Sequence, residues 1–281
     1  MEDKVTVNTV VKHFILTPFP EYPECTLVAY LHDKSPELKI EARRTVVVCP
    51  GGAYMFLSDR EAEPVALQFL AQGFNVFVLN YSFGEYAKDN RPIIEALRTV
   101  KFLREHAEEY DVNPDYVFMN GYSAGGHLAA ASGTMYDLPE IREAVGCKDN
   151  DRHRPTATVL AYPVISSGEW AHRDSFSMLC GSHDATDEER AYYSVDKRVT
   201  PKTVPSFIWH TVEDMLVPVQ NSLLYATALA NSGVGFELHV YPHGPHGLVL
   251  ANKETSFGQP ELERPECEKW VAEASRWMMN L

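Results

Sequence analysis

No stretch of the sequence approaches the roughly 20 consecutive apolar residues that a membrane-spanning helix requires. The amino-terminal Met1-Glu-Asp-Lys-Val-Thr-Val-Asn8 lacks the basic segment and apolar run of a secretory leader, so a cytoplasmic location is the expectation. Cysteine is sparse: Cys25, Cys49, Cys147, Cys180 and Cys267 are an odd number, widely scattered and without a C-x-x-C pair. That argues against a disulfide framework and leaves reduced, structural thiols. Positive charge is in deficit, with 25 Lys and Arg against 39 Asp and Glu and a formal charge of −14. Such an excess of negative charge disfavours nucleic acid and anionic membrane surfaces as partners. Internal repeats and low-complexity segments are also lacking.

What the chain has instead is the make-up of a globular protein, 45% hydrophobic and 23% charged over 281 residues. One α/β domain spanning 1–281 accommodates that length. The rest is ordered around Asn120-Gly-Tyr-Ser-Ala-Gly-Gly-His-Leu-Ala-Ala130. An apolar strand pattern, Tyr116 to Met119, runs into Gly121-x-Ser123-x-Gly125, and a small-residue helix pattern, His127 to Ser132, runs out of it. This is the context of a nucleophile elbow, where a strained serine stands on a strand-to-helix turn. The residues two before and two after it must be small enough for strand and helix to approach, and both are glycine. The first helical turn aims free N–H groups at charge developing beside Ser123, that of Ala124 first.

Strand and helix patterns alternate along the chain. Strands are predicted at Thr26 to Leu31, Arg44 to Cys49, Asn75 to Tyr81, Thr158 to Pro163, Ser206 to His210 and Phe236 to Tyr241. Helices are predicted from Ser58 to Gln72 and from Asn90 to about Tyr110, closed by Gly73 and by Asp111-Val-Asn-Pro114. The alternation implies a mostly parallel, doubly wound sheet flanked by helices, with its chemistry at the carboxyl ends of the strands. The Arg44 to Cys49 strand ends at Pro50-Gly-Gly-Ala-Tyr54, where hydrolases with such an elbow supply the second oxyanion donor. Gly52 and Ala53 are the expected donors. A long insertion, Val164 to Pro205, leaves the carboxyl end of a strand and is expected to form a lid or cap. Tyr54 and Tyr122 are candidate substrate-binding side chains, with Met55, Phe56, Trp170 and Tyr192 as further wall candidates. Ordinary burial in the core competes with that role for each.

A serine hydroxyl needs a histidine to take its proton and a carboxylate to orient that histidine. With this elbow the chain order is Ser, acid, His. Just after the Ser206 to His210 strand, Glu213 and Asp214 offer two carboxylates, of which Asp214 is preferred. After the last strand, Pro242-His-Gly-Pro-His-Gly247 offers a glycine-flanked His246, with His243 second. His243-x-x-His246 also has metal-ligand spacing, but no cysteine or carboxylate cluster accompanies it, so neither a metal nor any other cofactor is expected. His210 and His127 are read as structural or surface groups.

Together, Cys49-Pro-Gly-Gly-Ala-Tyr54, Arg60-Glu-Ala-Glu-Pro-Val-Ala66, Gly121-Tyr-Ser-Ala-Gly-Gly-His-Leu-Ala129, Thr211-Val-Glu-Asp-Met-Leu-Val-Pro-Val219 and His243-Gly-Pro-His-Gly247 resemble the α/β-hydrolase esterases of the acetyl esterase and acetyl xylan esterase group. The resemblance spans about residues 25 to 280. It implies Ser123 as nucleophile, Asp214 as acid and His246 as base. It further implies release of short acyl groups, chiefly acetyl, from a small-molecule or oligosaccharide ester such as an acetylated xylo-oligosaccharide. Ala53 departs from the pattern, because related loops often carry a third glycine there. A serine peptidase of the oligopeptidase type, or a binding protein on an inactive hydrolase scaffold, are the alternatives.

Overall fold

The structure, a computed structural model, describes residues 11–281. The leader reading at Met1 to Asn8 lies outside them. Eight strands, β1 (Val11–Leu16), β2 (Thr26–His32), β3 (Arg43–Cys49), β4 (Asn75–Asn80), β5 (Val112–Tyr122), β6 (Ala157–Ala161), β7 (Ser206–Thr211) and β8 (Phe236–Tyr241), form one sheet in the order β1-β2-β4-β3-β5-β6-β7-β8. β1 with β2 and β2 with β4 are antiparallel, and all later pairings are parallel.

Both faces of this sheet are covered, which is why its central strands carry two-sidedly apolar runs such as Val46 to Cys49 and Val117 to Met119. Along β3, Val46 and Val48 face a core shared with Val65 and Phe69 of α1 (Glu63–Ala71) and Trp270 of α8 (Trp270–Met279). Val47 and Cys49 face the opposite core, with Leu97 and Val100 of α2 (Arg91–Glu105) and Leu128 of α3 (Ala124–Thr134). Each such side chain contributes about 1.5–3 kcal/mol when fully buried. α4 (Pro139–Val145) and α7 (Gln220–Asn231) complete the α2 side. Among the described residues no helix is long and apolar enough to cross a membrane.

Two predicted helices change at their ends. The Ser58 to Gln72 pattern divides into a 3-10 turn, Asp59–Glu61, and α1, with Ala62 between them at φ −104°, ψ −103°. The break turns the Glu61 side chain inward. α2 ends at Glu105 rather than near Tyr110, because the chain reverses there: Val112 N–H bonds the Ala107 carbonyl, and Tyr110 packs against Phe102 and Phe77.

The Val164 to Pro205 insertion folds as α5 (Arg173–Cys180), α6 (Asp187–Tyr192) and a 3-10 turn, Val195–Arg198. Its Phe176, Leu179, Tyr193, Val195 and Val204 are buried in the α2-side core. Thr186 and Glu189 cap α6 reciprocally.

Candidate active site

β5 delivers Ser123 to the carboxyl edge of the sheet, and α3 leaves immediately after it. Ser123 sits at φ 52°, ψ −117°, a conformation that costs a non-glycine residue on the order of 1–3 kcal/mol. Its surroundings enforce it: Ser123 N–H donates to the Ala161 carbonyl, and the Ser123 carbonyl accepts from Val164 and His127. A Cβ at Gly121 would lie 2.0 Å from the Gly125 carbonyl oxygen, and one at Gly125 would lie 2.1 Å from that of Cys49. The strand and helix therefore cross closer than any side chain allows.

The loops after β7 and β8 bring two more groups to this point. Ser123 Oγ lies 2.8 Å from His246 Nε2, and His246 Nδ1 lies 2.6 Å from Asp214 Oδ2. With Nδ1–H donating to the carboxylate, Nε2 is left to accept the serine proton. Asp214 Oδ1 accepts the backbone N–H groups of Leu216 and Val217. Burial alone would push the Asp214 carboxyl up, but hydrogen bonds from His210 and His246 outweigh it and hold the group well below the usual carboxylate range. The competing carboxylate and imidazole pair off elsewhere: Glu213 bonds His243 and the Gly244 N–H on the exposed side of these loops. The rings of His243 and His246 thus serve different carboxylates.

His210, read from sequence as structural or superficial, is fully buried beside Asp214. Its Nε2 lies 3.2 Å from Asp214 Oδ2 and 2.8 Å from the Val217 carbonyl, so that nitrogen carries the proton. Nδ1 then accepts from the Ser222 hydroxyl. Its place in Trp209-His210-Thr211, four residues before Asp214, was the available signal.

At the mouth of the β3 loop, Met55 and Phe56 N–H both donate to the Gly52 carbonyl. None of the described loop hydrogen bonds uses the N–H of Gly52, Ala53 or Ala124. Ala53 and Tyr54 adopt left-handed φ values of 57° and 60°, a region that favours glycine. A cleft of about 460 Å³ opens above Ser123 and His246. Met55, Phe56, Leu216 and Phe257 make its apolar wall, and Arg60, His172 and Asp174 are polar groups on its rim. Phe257 is 78% exposed and held at φ 55°.

Tyr54 and Tyr122, expected at the substrate wall, are instead fully buried, and neither lines the cleft. The Tyr54 hydroxyl donates to His127 Nδ1 at 2.8 Å, and His127 Nε2 donates to the Tyr193 carbonyl. Tyr122 follows the alternation of β5 to the α1 side, against Trp270 and Tyr162. Trp170 and Tyr192 also stand outside the cleft lining, whereas Met55 and Phe56 are in it.

The BD-FAE family model matches residues 33–229. The chain belongs to the BD-FAE family. Among relatives of this BD-FAE member, endo-1,4-beta-xylanase B of Butyrivibrio fibrisolvens is 36% identical over 240 residues, 83% of this chain and 36% of that protein. The acetylxylan esterase of Xylanibacter ruminicola is 32% identical over 212 residues, 73% of this chain and 41% of that protein. The chain therefore spans well under half the length of these two relatives. The crystal structure of an acetyl ester-xyloside bifunctional hydrolase from Caldicellulosiruptor lactoaceticus is 35% identical, with a TM-score of 0.76 over 91% of this chain and 88% of that one. The BD-FAE chain has the α/β-hydrolase fold, and its resemblance to the acetyl xylan esterase group holds.

Proposed function

We propose that the protein is a serine carboxylesterase that removes short acyl groups, acetyl above all, from carbohydrate esters such as acetylated xylo-oligosaccharides. What carries this proposal is the relay of Ser123 to His246 at 2.8 Å and His246 to Asp214 at 2.6 Å, on the floor of a cleft open to solvent. His246 takes the Ser123 proton as the hydroxyl oxygen attacks the ester carbonyl. The tetrahedral oxyanion is received by N–H groups of Ala124 and of Gly52 or Ala53, each donor lowering the barrier by about 3–4 kcal/mol. His246 then protonates the departing alcohol, and the water it activates in turn releases the acid. The 164–205 insertion contributes one wall of the site through His172 and Asp174. Because Phe176 and Tyr193 anchor it in the core, it acts as a fixed cap rather than a hinged lid.

Ser123→Ala tests the proposal. It is expected to abolish hydrolysis of p-nitrophenyl acetate while leaving the melting temperature near that of the parent, and activity retained by the variant would remove the assignment. A series from acetyl to octanoyl esters, run beside acetylated xylo-oligosaccharides and aminoacyl amides, tests acyl length and separates esterase from peptidase. A preference for octanoyl esters or for amides would overturn the substrate class.

A further inference from the structure

Glu61 is 5% exposed at the base of the cleft, and its carboxylate completes no helix cap. Oε2 accepts the Gly51 N–H at 2.7 Å, and Oε1 accepts the Tyr162 hydroxyl proton at 2.8 Å. The Tyr162 oxygen accepts the Val249 N–H at 3.1 Å. The Tyr162 ring meets the His246 imidazole edge to face, with centroids 5.0 Å apart, and Tyr162 is itself held at a left-handed φ of 37°. One carboxylate therefore ties together the loop that carries Gly52 and Ala53, the end of β6 and the loop that carries His246. Gly51 is wedged between this group and the nucleophile: a Cβ there would lie 2.7 Å from Glu61 Oε2 and 3.0 Å from Ser123 Cβ. Both polar partners donate to Glu61, the arrangement an ionised carboxylate needs when buried. Burial pushes its carboxyl up, against the hydrogen bonds from Tyr162 and Gly51 and the charge of His246.

A buried carboxylate is a costly way to brace three loops, and apolar packing would brace them at lower cost. What a carboxylate adds is direction to the N–H it receives and negative charge toward the imidazole. We propose that Glu61, acting with Tyr162, is a positioning residue for ester hydrolysis. It fixes the tilt of the Gly51–Gly52 peptide, and with it the aim of the oxyanion donors. Through Tyr162 it holds the His246 loop, and its charge faces the imidazolium formed as Ser123 is deprotonated. This rests on the esterase proposal above.

The test compares wild type, Glu61→Gln, Tyr162→Phe and the double variant with p-nitrophenyl acetate. Measured for each are kcat, KM, melting temperature and the rate of Ser123 labelling by a fluorophosphonate. Glu61→Gln can keep only one of its two accepted bonds, so kcat should fall about 30-fold or more, toward the 10²–10³ seen for loss of an oxyanion donor, with KM changed less than about threefold. Tyr162→Phe keeps the ring against His246 and removes only the hydroxyl. Its kcat should fall about tenfold, and the double variant should lose less than the product of the singles, as expected for groups acting as one unit. Normal kcat per labelled Ser123 in Tyr162→Phe, together with normal kcat in any Glu61→Gln that folds, would overturn the inference even if both variants melt early. Should Glu61→Gln fail to fold, Tyr162→Phe decides alone. A wild type that neither hydrolyses esters nor labels would overturn the esterase proposal itself, and this inference with it.

Discussion

Replacing Asp214 by Asn changes one atom and reverses the hydrogen-bond logic around it. The Asn carbonyl oxygen can still accept from Leu216 and Val217 N–H, as Oδ1 does now at 3.0 and 2.9 Å. Its amide nitrogen then occupies the place of Oδ2, facing His246 Nδ1 and His210 Nε2, both of which donate in the parent. A donor cannot accept from them. His210 retains the Val217 carbonyl as acceptor, but His246 has no other partner at Nδ1 among the described residues and must move its proton to Nε2. An imidazole protonated at Nε2 cannot take the proton of Ser123. A wrong-tautomer triad loses about 10⁴ in kcat, or about 5.4 kcal/mol of transition-state stabilisation. The assay is kcat on p-nitrophenyl acetate at pH 7.5, with Glu213→Gln as the control, because Glu213 serves His243 on the exposed side. A kcat within tenfold of the parent in a folded Asp214→Asn protein, or an equal loss in Glu213→Gln, would refute the reasoning. Acid titration gives a second readout. Because the native Asp214 carboxyl lies below its unfolded value of about 3.9, its stabilisation is complete above that pH and is lost as pH falls toward the lower native value. The Asn variant should lack this part of the acid destabilisation.

Two further predictions concern the frame. Burial pushes His127 down to about 4, below the free value of about 6.5, so its neutral form supports the fold fully above that pH and the support is lost as pH falls from 6.5 toward 4. The difference is on the order of 3 kcal/mol, and the fall in melting temperature from pH 7.5 to pH 5 should be smaller in His127→Gln than in the parent; equal slopes would contradict it. Ala53→Gly relieves a left-handed alanine at φ 57°, worth about 1–2 kcal/mol, partly offset by about 0.4–1 kcal/mol of added unfolded-chain entropy. Its melting temperature should be unchanged or slightly raised, and the butyryl to acetyl ratio of kcat/KM should rise as the methyl leaves the acyl side. A clear loss of stability would show that the strain is not there.

The parts legible in the sequence were those set by local rules. Gly121 and Gly125 flank Ser123 because strand and helix touch there, and Val46 to Cys49 in β3 is an unbroken apolar run because Val46 and Val47 face different cores. That Asp214 and His246 come together beside Ser123 was legible because each follows a strand at its carboxyl end. What could not be read depends on which way a side chain turns once the chain is packed. Glu61 has the look of an acid in a first helical turn, yet a break at Ala62 sends it inward to Gly51 and Tyr162. His210 occupies a buried strand position, and only the return of the chain at Asp214, Val217 and Ser222 gives its ring partners. Tyr54 lies in the loop after β3 and Tyr122 adjoins Ser123 in sequence, but strand alternation and the His127 bond draw both into the interior.

Mass mapping of a fluorophosphonate adduct tests the central claim most directly, since a phosphonyl group transfers only to an activated nucleophile. The expected result is one adduct per chain, on Ser123, with labelling slowed at least about 100-fold in His246→Ala, the lower range for loss of a general base. An adduct on another residue, no adduct at all, or an undiminished rate in the His246 variant would contradict the account.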